Sequence, residues 1–176
     1  MKLYNTLTRK LEDFVPLEAG KVAFYHCGPT VYWTQHIGNL RGMTMGDILV
    51  RTLRRFGYDV THVRNYTDVG HLTSDADTGE DKMEKGAKRE GLTPDEIAEK
   101  YIAIFEEDTK ALHLVEPKYK PRPSKLIPEI LIMVQTLVDK GFAYVTDFAV
   151  YFDVSKFPMY TQLSRQKLEK SVGGAG

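Results

Sequence analysis

The sequence predicts an α/β fold built on a parallel strand–helix–strand unit, and three segments carry that prediction. Residues 22–27 are nearly continuous in apolar and aromatic side chains (Val22, Ala23, Phe24, Tyr25), as in a buried strand. Residues 40–56 place Met45, Ile48, Leu49, Leu53 and Phe56 at helical spacing. Residues 59–65 return to strand chemistry with the β-branched Val60, Thr61 and Val63. Strand, helix and strand at this spacing set two parallel strands side by side.

The flanking elements follow in order. Residues 3–7 read as a short strand, followed by a charged link ending at Gly20. Gly57 stops the first helix, with Arg51, Arg54 and Arg55 near its negative end. From Thr67 to Gly91 the chain is polar and irregular. Within it His71, Asp75, Asp77 and Asp81 read as a solvated loop, because they lack the regular spacing of a calcium loop. Lys82-Met83-Glu84-Lys85-Gly86 reads as an exposed segment or helical turn and not as a phosphate clamp. A second helix starts with Thr93 as N-cap, Pro94 in the first turn and Glu96 completing a T-x-x-E capping box. Its apolar stripe is Ile97, Tyr101, Ile104, Phe105 and Leu112. Pro117, Pro121 and Pro123 then force an extended crossing. A third helix carries Ile130, Val134, Leu137 and Val138 and ends at Gly141, and residues 142–145 and 149–154 read as a hairpin. The change of pattern near residue 115 divides the chain into 1–114 and 115–176, the latter ending in Gly173-Gly174-Ala175-Gly176, which reads as a mobile terminus or a cut.

Composition sets outer limits. The chain has 176 residues, long enough for one domain with a real core, and 42% hydrophobic with 27% charged residues is the balance of a soluble globular protein. Twenty-four basic side chains equal 24 acidic ones, so bulk charge gives no reason to expect nucleic acid or a membrane surface. A single cysteine, Cys27, excludes an internal disulfide and points to a reducing compartment. No apolar run approaches a membrane span and no secretory pattern opens the chain, so the expected location is the cytoplasm.

Chemistry concentrates in Cys27-Gly28-Pro29-Thr30-Val31-Tyr32 and the following His36-Ile37-Gly38-Asn39. These residues span the crossing from strand to helix, where backbone amides and the positive end of the helix dipole suit an anion such as phosphate. Cys27 is either a zinc ligand or a small residue closing the strand. His36 either donates to phosphate oxygens as charge develops, or caps the helix together with Asn39 while Gly38 makes a turn. Asn65-Tyr66-Thr67-Asp68 lies at the carboxyl edge of the second strand. There Thr67 and Asp68 either bond a small polar substrate or form a turn.

These motifs, in this order, resemble the cysteinyl-tRNA synthetases, a class I synthetase family. The resemblance rests on CGPTVY at 27–32, HIGN at 36–39 and RNYTD at 64–68. It extends through Tyr4-Asn5-Thr6-Leu7, Pro121-Arg122-Pro123, Tyr151-Phe152-Asp153-Val154 and Leu163-Ser164-Arg165, and so covers nearly the whole chain. It implies the first half of a class I synthetase Rossmann-like parallel sheet over 1–114, then the start of an α+β connective domain over 115–176. It implies activation of cysteine by ATP with Mg2+ and transfer to tRNA(Cys). His36–Asn39 would take the place of the HIGH motif, with His36 and Asn39 acting on ATP and Gly38 and Thr30 beside the nucleotide. Gly28 and Thr67 would line the cysteine pocket. Cys27 would be one ligand of a Zn2+ that binds the substrate thiolate, which favours cysteine over serine. Asn39 departs from the second histidine of HIGH, keeping a donor but no positive charge.

The family's other zinc ligands (a Cys, a His and a Glu), its KMSKS loop, the second half of its sheet and its anticodon-binding region have no counterpart in these residues. The resemblance thus implies an N-terminal fragment or truncated copy without a complete active site of its own. Two alternatives stay open: a truncated relative serving as a nucleotide-binding or interaction module, and a related zinc-dependent cysteine ligase. An open half-sheet would also expose apolar surface suited to self-association.

Overall fold

A computed structural model describes residues 1–70 and 81–166. In chain order the elements are β1 (Lys2–Asn5), β2 (Lys10–Asp13), β3 (Lys21–His26), α1 (Ile37–Arg55) and β4 (Asp59–Arg64). They continue with α2 (Lys82–Glu90), α3 (Pro94–Ala111), α4 (Ile127–Asp139), β5 (Ala143–Val145) and β6 (Val150–Phe152). They form two units, one of residues Val15–Lys125 and one of Met1–Phe14 with the chain from Leu126 onward. His71, Asp75, Asp77 and the glycine-rich end lie outside the described residues.

The larger unit holds the expected parallel unit. β3 and β4 pair from Lys21 opposite Asp59 to His26 opposite Arg64, with α1 between them in sequence. α1 ends at Arg55, and Gly57 follows with φ +87, a left-handed turn that glycine enters without strain. The pairing outlasts the strands. Val31 N–H donates to Thr67 O at 3.1 Å and Thr67 N–H to Pro29 O at 2.9 Å. On the far edge of β4 the proline-rich crossing docks as a third extended segment. Arg64 N–H donates to Tyr119 O at 3.0 Å and Tyr66 N–H to Pro121 O at 2.9 Å. Pro121 takes part only as an acceptor, as a residue without N–H must.

Alternation sends Phe24, His26, His62 and Arg64 to one face. There α1 rests directly on His26, since a Cβ on Gly46 would fall 2.3 Å from His26 Nδ1. The other face is not covered among the described residues: Tyr25 is 61% exposed and Ala23 is exposed. The strand expected to be buried is thus half-buried, because a parallel strand is enclosed only when both faces carry helices.

The core gathers where α2 and α3 meet the chain leaving the sheet, around Val31, Tyr66, Met83, Ala87, Ile97, Tyr101 and Phe105. α3 starts as expected. Thr93 Oγ1 accepts the Glu96 N–H, and Glu96 Oε2 accepts the Thr93 N–H at 2.8 Å. Ile97, Tyr101 and Phe105 of its stripe are buried, while Leu112 lies beyond the helix and is exposed. Each such large apolar side chain contributes roughly 1.5–3 kcal/mol.

α2 turns the expected irregular segment into a full helix. Asp81 caps it by accepting the Met83 N–H at 2.7 Å, and Gly91 closes it at φ +68. Its buried face is only Met83, Gly86 and Ala87, too narrow to stand out among the lysines.

In the smaller unit β1 pairs antiparallel with β2, a partner hidden by the charged sequence KLED. Asn5 holds the turn, accepting the Leu7 N–H at 2.9 Å and donating to Glu12 Oε1 at 2.6 Å. β5 and β6 form the expected hairpin with shorter limits, with Phe142 stacked on Phe152. α4 ends before Gly141 (φ +73) and carries no buried residue in the described chain.

His62 is 3% exposed, its ring against those of Phe24 and His26, and both its ring nitrogens lack a hydrogen-bond partner. Burial, followed by the nearby His26 and Arg64, lowers its pKa to about 4. The folded chain thus holds neutral a group that an unfolded chain protonates below about pH 6.5. Its contribution is complete above pH 6.5 and is lost as pH falls from there towards 4, by about 3 kcal/mol in all. Urea unfolding between pH 7 and 4 is expected to show this loss, and His62→Phe to flatten that part of it. An identical pH dependence in the variant would contradict the assignment.

Candidate active site

The carboxyl ends of β3 and β4 come together through Gly28. A Cβ on Gly28 would lie 1.7 Å from the Asn65 carbonyl oxygen, so only glycine fits. Gly28 N–H donates to Asn65 Oδ1 at 2.8 Å, and Asn65 Nδ2 donates to Thr67 Oγ1 at 3.1 Å. One amide side chain thus binds the two strand exits together. Thr30 pairs with Thr67 across the same gap. Gly28, Thr30 and Thr67, singled out from sequence, are thereby neighbours. Asn65 was not singled out, although an asparagine just past a parallel strand was the available signal.

His36 is the N-cap of α1, its Nδ1 accepting the Gly38 N–H at 3.0 Å. A neutral ring so engaged carries its proton on Nε2, which is then a donor. Gly38 permits this arrangement, for a Cβ there would lie 2.8 Å from His36 Cε1. Asn39 lies inside the first turn, its N–H donating to His36 O at 2.9 Å, so His36 alone caps the helix. His36, Gly38 and Asn39 are all exposed. No acidic side chain occupies the first turn of α1, leaving the positive end of its dipole unopposed by its own residues.

Cys27 is exposed, its Sγ making a single weak contact of 3.7 Å with Gly28 O. The thiol is accessible as a metal donor. Among the described residues, however, no three His, Cys, Asp or Glu side chains converge to hold an ion. A tetrahedral zinc site needs more donors than Cys27.

Asp68 serves the framework. It is buried and accepts from Arg122 Nε at 2.7 Å, Ser124 N–H at 3.1 Å and Ser124 Oγ at 2.5 Å. Burial pushes its pKa up, but the bonds from Ser124 and Arg122 outweigh this and hold it below the usual carboxylate range. Arg122 also pairs with Asp95 and Glu99 on α3.

α2 props the loop between β3 and α1. Arg89 Nη2 donates to Tyr32 O at 3.0 Å, with its guanidinium 3.8 Å above the Trp33 ring. A Cβ on Gly86 would lie 3.2 Å from Tyr32 O, so glycine lets the helix pack close to this loop.

Asn65→Ala removes both side-chain bonds at the strand exits. It is expected to destabilise the chain by about 1–3 kcal/mol in urea unfolding and to speed hydrogen exchange at the Gly28 amide. Unchanged stability and exchange would show that the bridge is dispensable.

Comparison with known proteins matches this architecture. The family model described as tRNA synthetases class I (C) catalytic domain matches residues 13–175. A cysteine–tRNA ligase of Treponema denticola is 46% identical over 99% of this chain and 36% of its own length. Cysteine–tRNA ligase 1 of Burkholderia lata is 48% identical over 94% of this chain and 35% of its own. The Thermus thermophilus cysteine–tRNA ligase is 46% identical over 98% and 36%. The chain thus spans about a third of the length of the curated relatives it matches. A leucyl-tRNA synthetase of Agrobacterium radiobacter, solved in a ternary complex with tRNA and LeuAMS, shares the fold over 75% of this chain and 16% of its own, with TM-score 0.55 and 24% identity. Matched over nearly all its residues, this chain belongs to the class I tRNA synthetase (C) catalytic-domain family.

Proposed function

We propose that this chain supplies the first part of the active site of a cysteine–tRNA ligase, which activates cysteine with ATP and Mg2+ and passes it to tRNA(Cys). The observation that carries the reading is the junction of β3, β4 and α1. A strand exit fixed by Gly28, Asn65 and Thr67 stands in the same unit as a helix N-terminus capped by His36. In this reading residues 1–114 begin a Rossmann-like parallel sheet and residues 115–176 begin a connective domain. The cytoplasm is the corresponding location, and no described helix is long and apolar enough to cross a membrane.

The reaction is attack by the cysteine carboxylate on the α-phosphorus of ATP, releasing pyrophosphate and leaving cysteinyl adenylate. Transfer of the cysteinyl group to a tRNA hydroxyl then releases AMP. Such chemistry depends on positioning and charge stabilisation. His36 Nε2 and the Asn39 amide are the donors for phosphate oxygens, and Gly38 keeps the helix entrance free of a side chain. Thr30 flanks the nucleotide, and Gly28 and Thr67 form the wall against cysteine. When bound, zinc would supply a soft contact for the substrate thiolate. Of its donors this chain offers Cys27, whose exposed sulfur suits that part. The uncovered face of β3 and β4 and the apolar exposure of α4 (Leu131 61%, Ile132 68%) support contact with further chain or self-association.

Cysteine-dependent exchange of pyrophosphate into ATP, measured on the protein expressed from its full reading frame, tests the reading. His36→Ala is expected to lower kcat roughly 100-fold, and Cys27→Ser to reduce bound zinc and discrimination against serine. Exchange that does not require cysteine, or that survives His36→Ala intact, would refute it.

A further inference from the structure

Arg64 carries a permanent charge yet is only 4% exposed, and no carboxylate pairs with it among the described residues. Its Nε has no hydrogen-bond partner, and Nη2 makes one long bond of 3.4 Å to Tyr66 Oη. The guanidinium lies 4.8 Å from the Phe105 ring centroid, which offsets part of its lost hydration. A buried guanidinium without a direct ion pair is costly, and arginine does not escape by deprotonating; Glu106 acts on Arg64 only through its field, its carboxylate being bonded to Lys120 and Tyr66.

Beside Arg64 opens a cavity of about 510 Å³ between the last turns of α3 and residues 113–120. That volume suits a small organic molecule. Lys110, His113 and Lys120 supply further basic groups, and Leu114 and Val115 an apolar wall. The two acids on its lining are already engaged. Glu106 accepts from Lys120 at 2.6 Å and from Tyr66 Oη at 2.9 Å, and Glu116 from Lys120 at 2.8 Å. Arg64 and the exposed Lys110 are left without ion pairs among the described residues. None of residues 27–39 or 65–67 lines the cavity, so it is separate from the candidate active site.

We propose that this cavity binds a small organic oxyanion, a carboxylate or a phosphate monoester, whose charged end pairs with Arg64 and Lys110 while its carbon frame rests on Leu114 and Val115. The bound anion supplies the direct ion pair that Arg64 lacks, and charge-assisted bonds from a guanidinium are the strong kind.

The test uses protein from the full reading frame labelled with 15N at arginine Nε, with the Arg64 resonance identified by its loss in Arg64→Lys. Inorganic phosphate and acetate are titrated separately at ionic strength held constant with chloride. A saturable shift of the Arg64 Nε–H signal is expected with at least one of them, and which one acts identifies the favoured oxyanion. Lys110→Ala, a change at an exposed helix position, is expected to weaken that binding about tenfold. A signal that moves no more than in chloride, or an affinity unchanged by Lys110→Ala, would overturn the proposal. Neither readout depends on aminoacylation.

Discussion

Gly28 lies so close to the Asn65 backbone that no side chain can be added there without moving the strand exit. The Asn65 backbone carbonyl occupies the space a Gly28 side chain would need, and the Asn65 side-chain amide accepts the Gly28 N–H and donates to the Thr67 hydroxyl. This contact ties the two strand exits together at the carboxyl edge of the sheet. Thr67 can pair with Pro29 and Val31 only because the two strand exits run side by side beyond β3 and β4. Val31 then enters the core that α2 and α3 share, and the loop from Tyr32 to Gln35 carries the chain to the His36 cap.

The second constraint is the polar character of the covered sheet face. Phe24, His26 and His62 stack as three rings, and Arg64 continues the row with its guanidinium against Phe105. An aliphatic face would pack with less electrostatic consequence. Here the stability of the unit is tied to pH through His62, and Arg64 holds a charge with no direct ion pair, the acid that acts on it, Glu106, being bonded to Lys120 and Tyr66. Asp68 illustrates the opposite solution. It is equally buried, but Arg122 and Ser124 satisfy it fully and thereby anchor the proline-rich crossing.

Much of this was legible in the residues. The parallel unit, the Thr93–Glu96 capping box and the final hairpin follow from periodicity and end signals, and each stands near its expected limits. The rule that parallel sheets place ligands at strand ends pointed to the two segments that hold Gly28, Thr30 and Thr67, and the resemblance to the cysteinyl-tRNA synthetases grouped those three residues. What stayed hidden depended on contacts distant in sequence. β2 is a strand because β1 pairs with it, not because KLED favours one. α2 is a helix whose caps, Asp81 and Gly91, were visible, but whose three buried residues gave too weak a stripe. Asn65 matters because Gly28, 37 positions earlier, lands on it. Likewise, the exposure of β3 reflects which faces other elements cover, a property no local pattern records.

In the proposed function the strand exits and the capped helix form one adenylate-binding edge. The decisive experiment is a crystal structure of the protein from its full reading frame with a non-hydrolysable sulfamoyl analogue of cysteinyl adenylate. The sulfamoyl group is expected within hydrogen-bond reach of His36 Nε2 and the first turn of α1. The cysteinyl end is expected beside Thr67, with the Gly28–Asn65 contact closed. An analogue bound elsewhere, or at this edge with that contact broken, would contradict the proposed function.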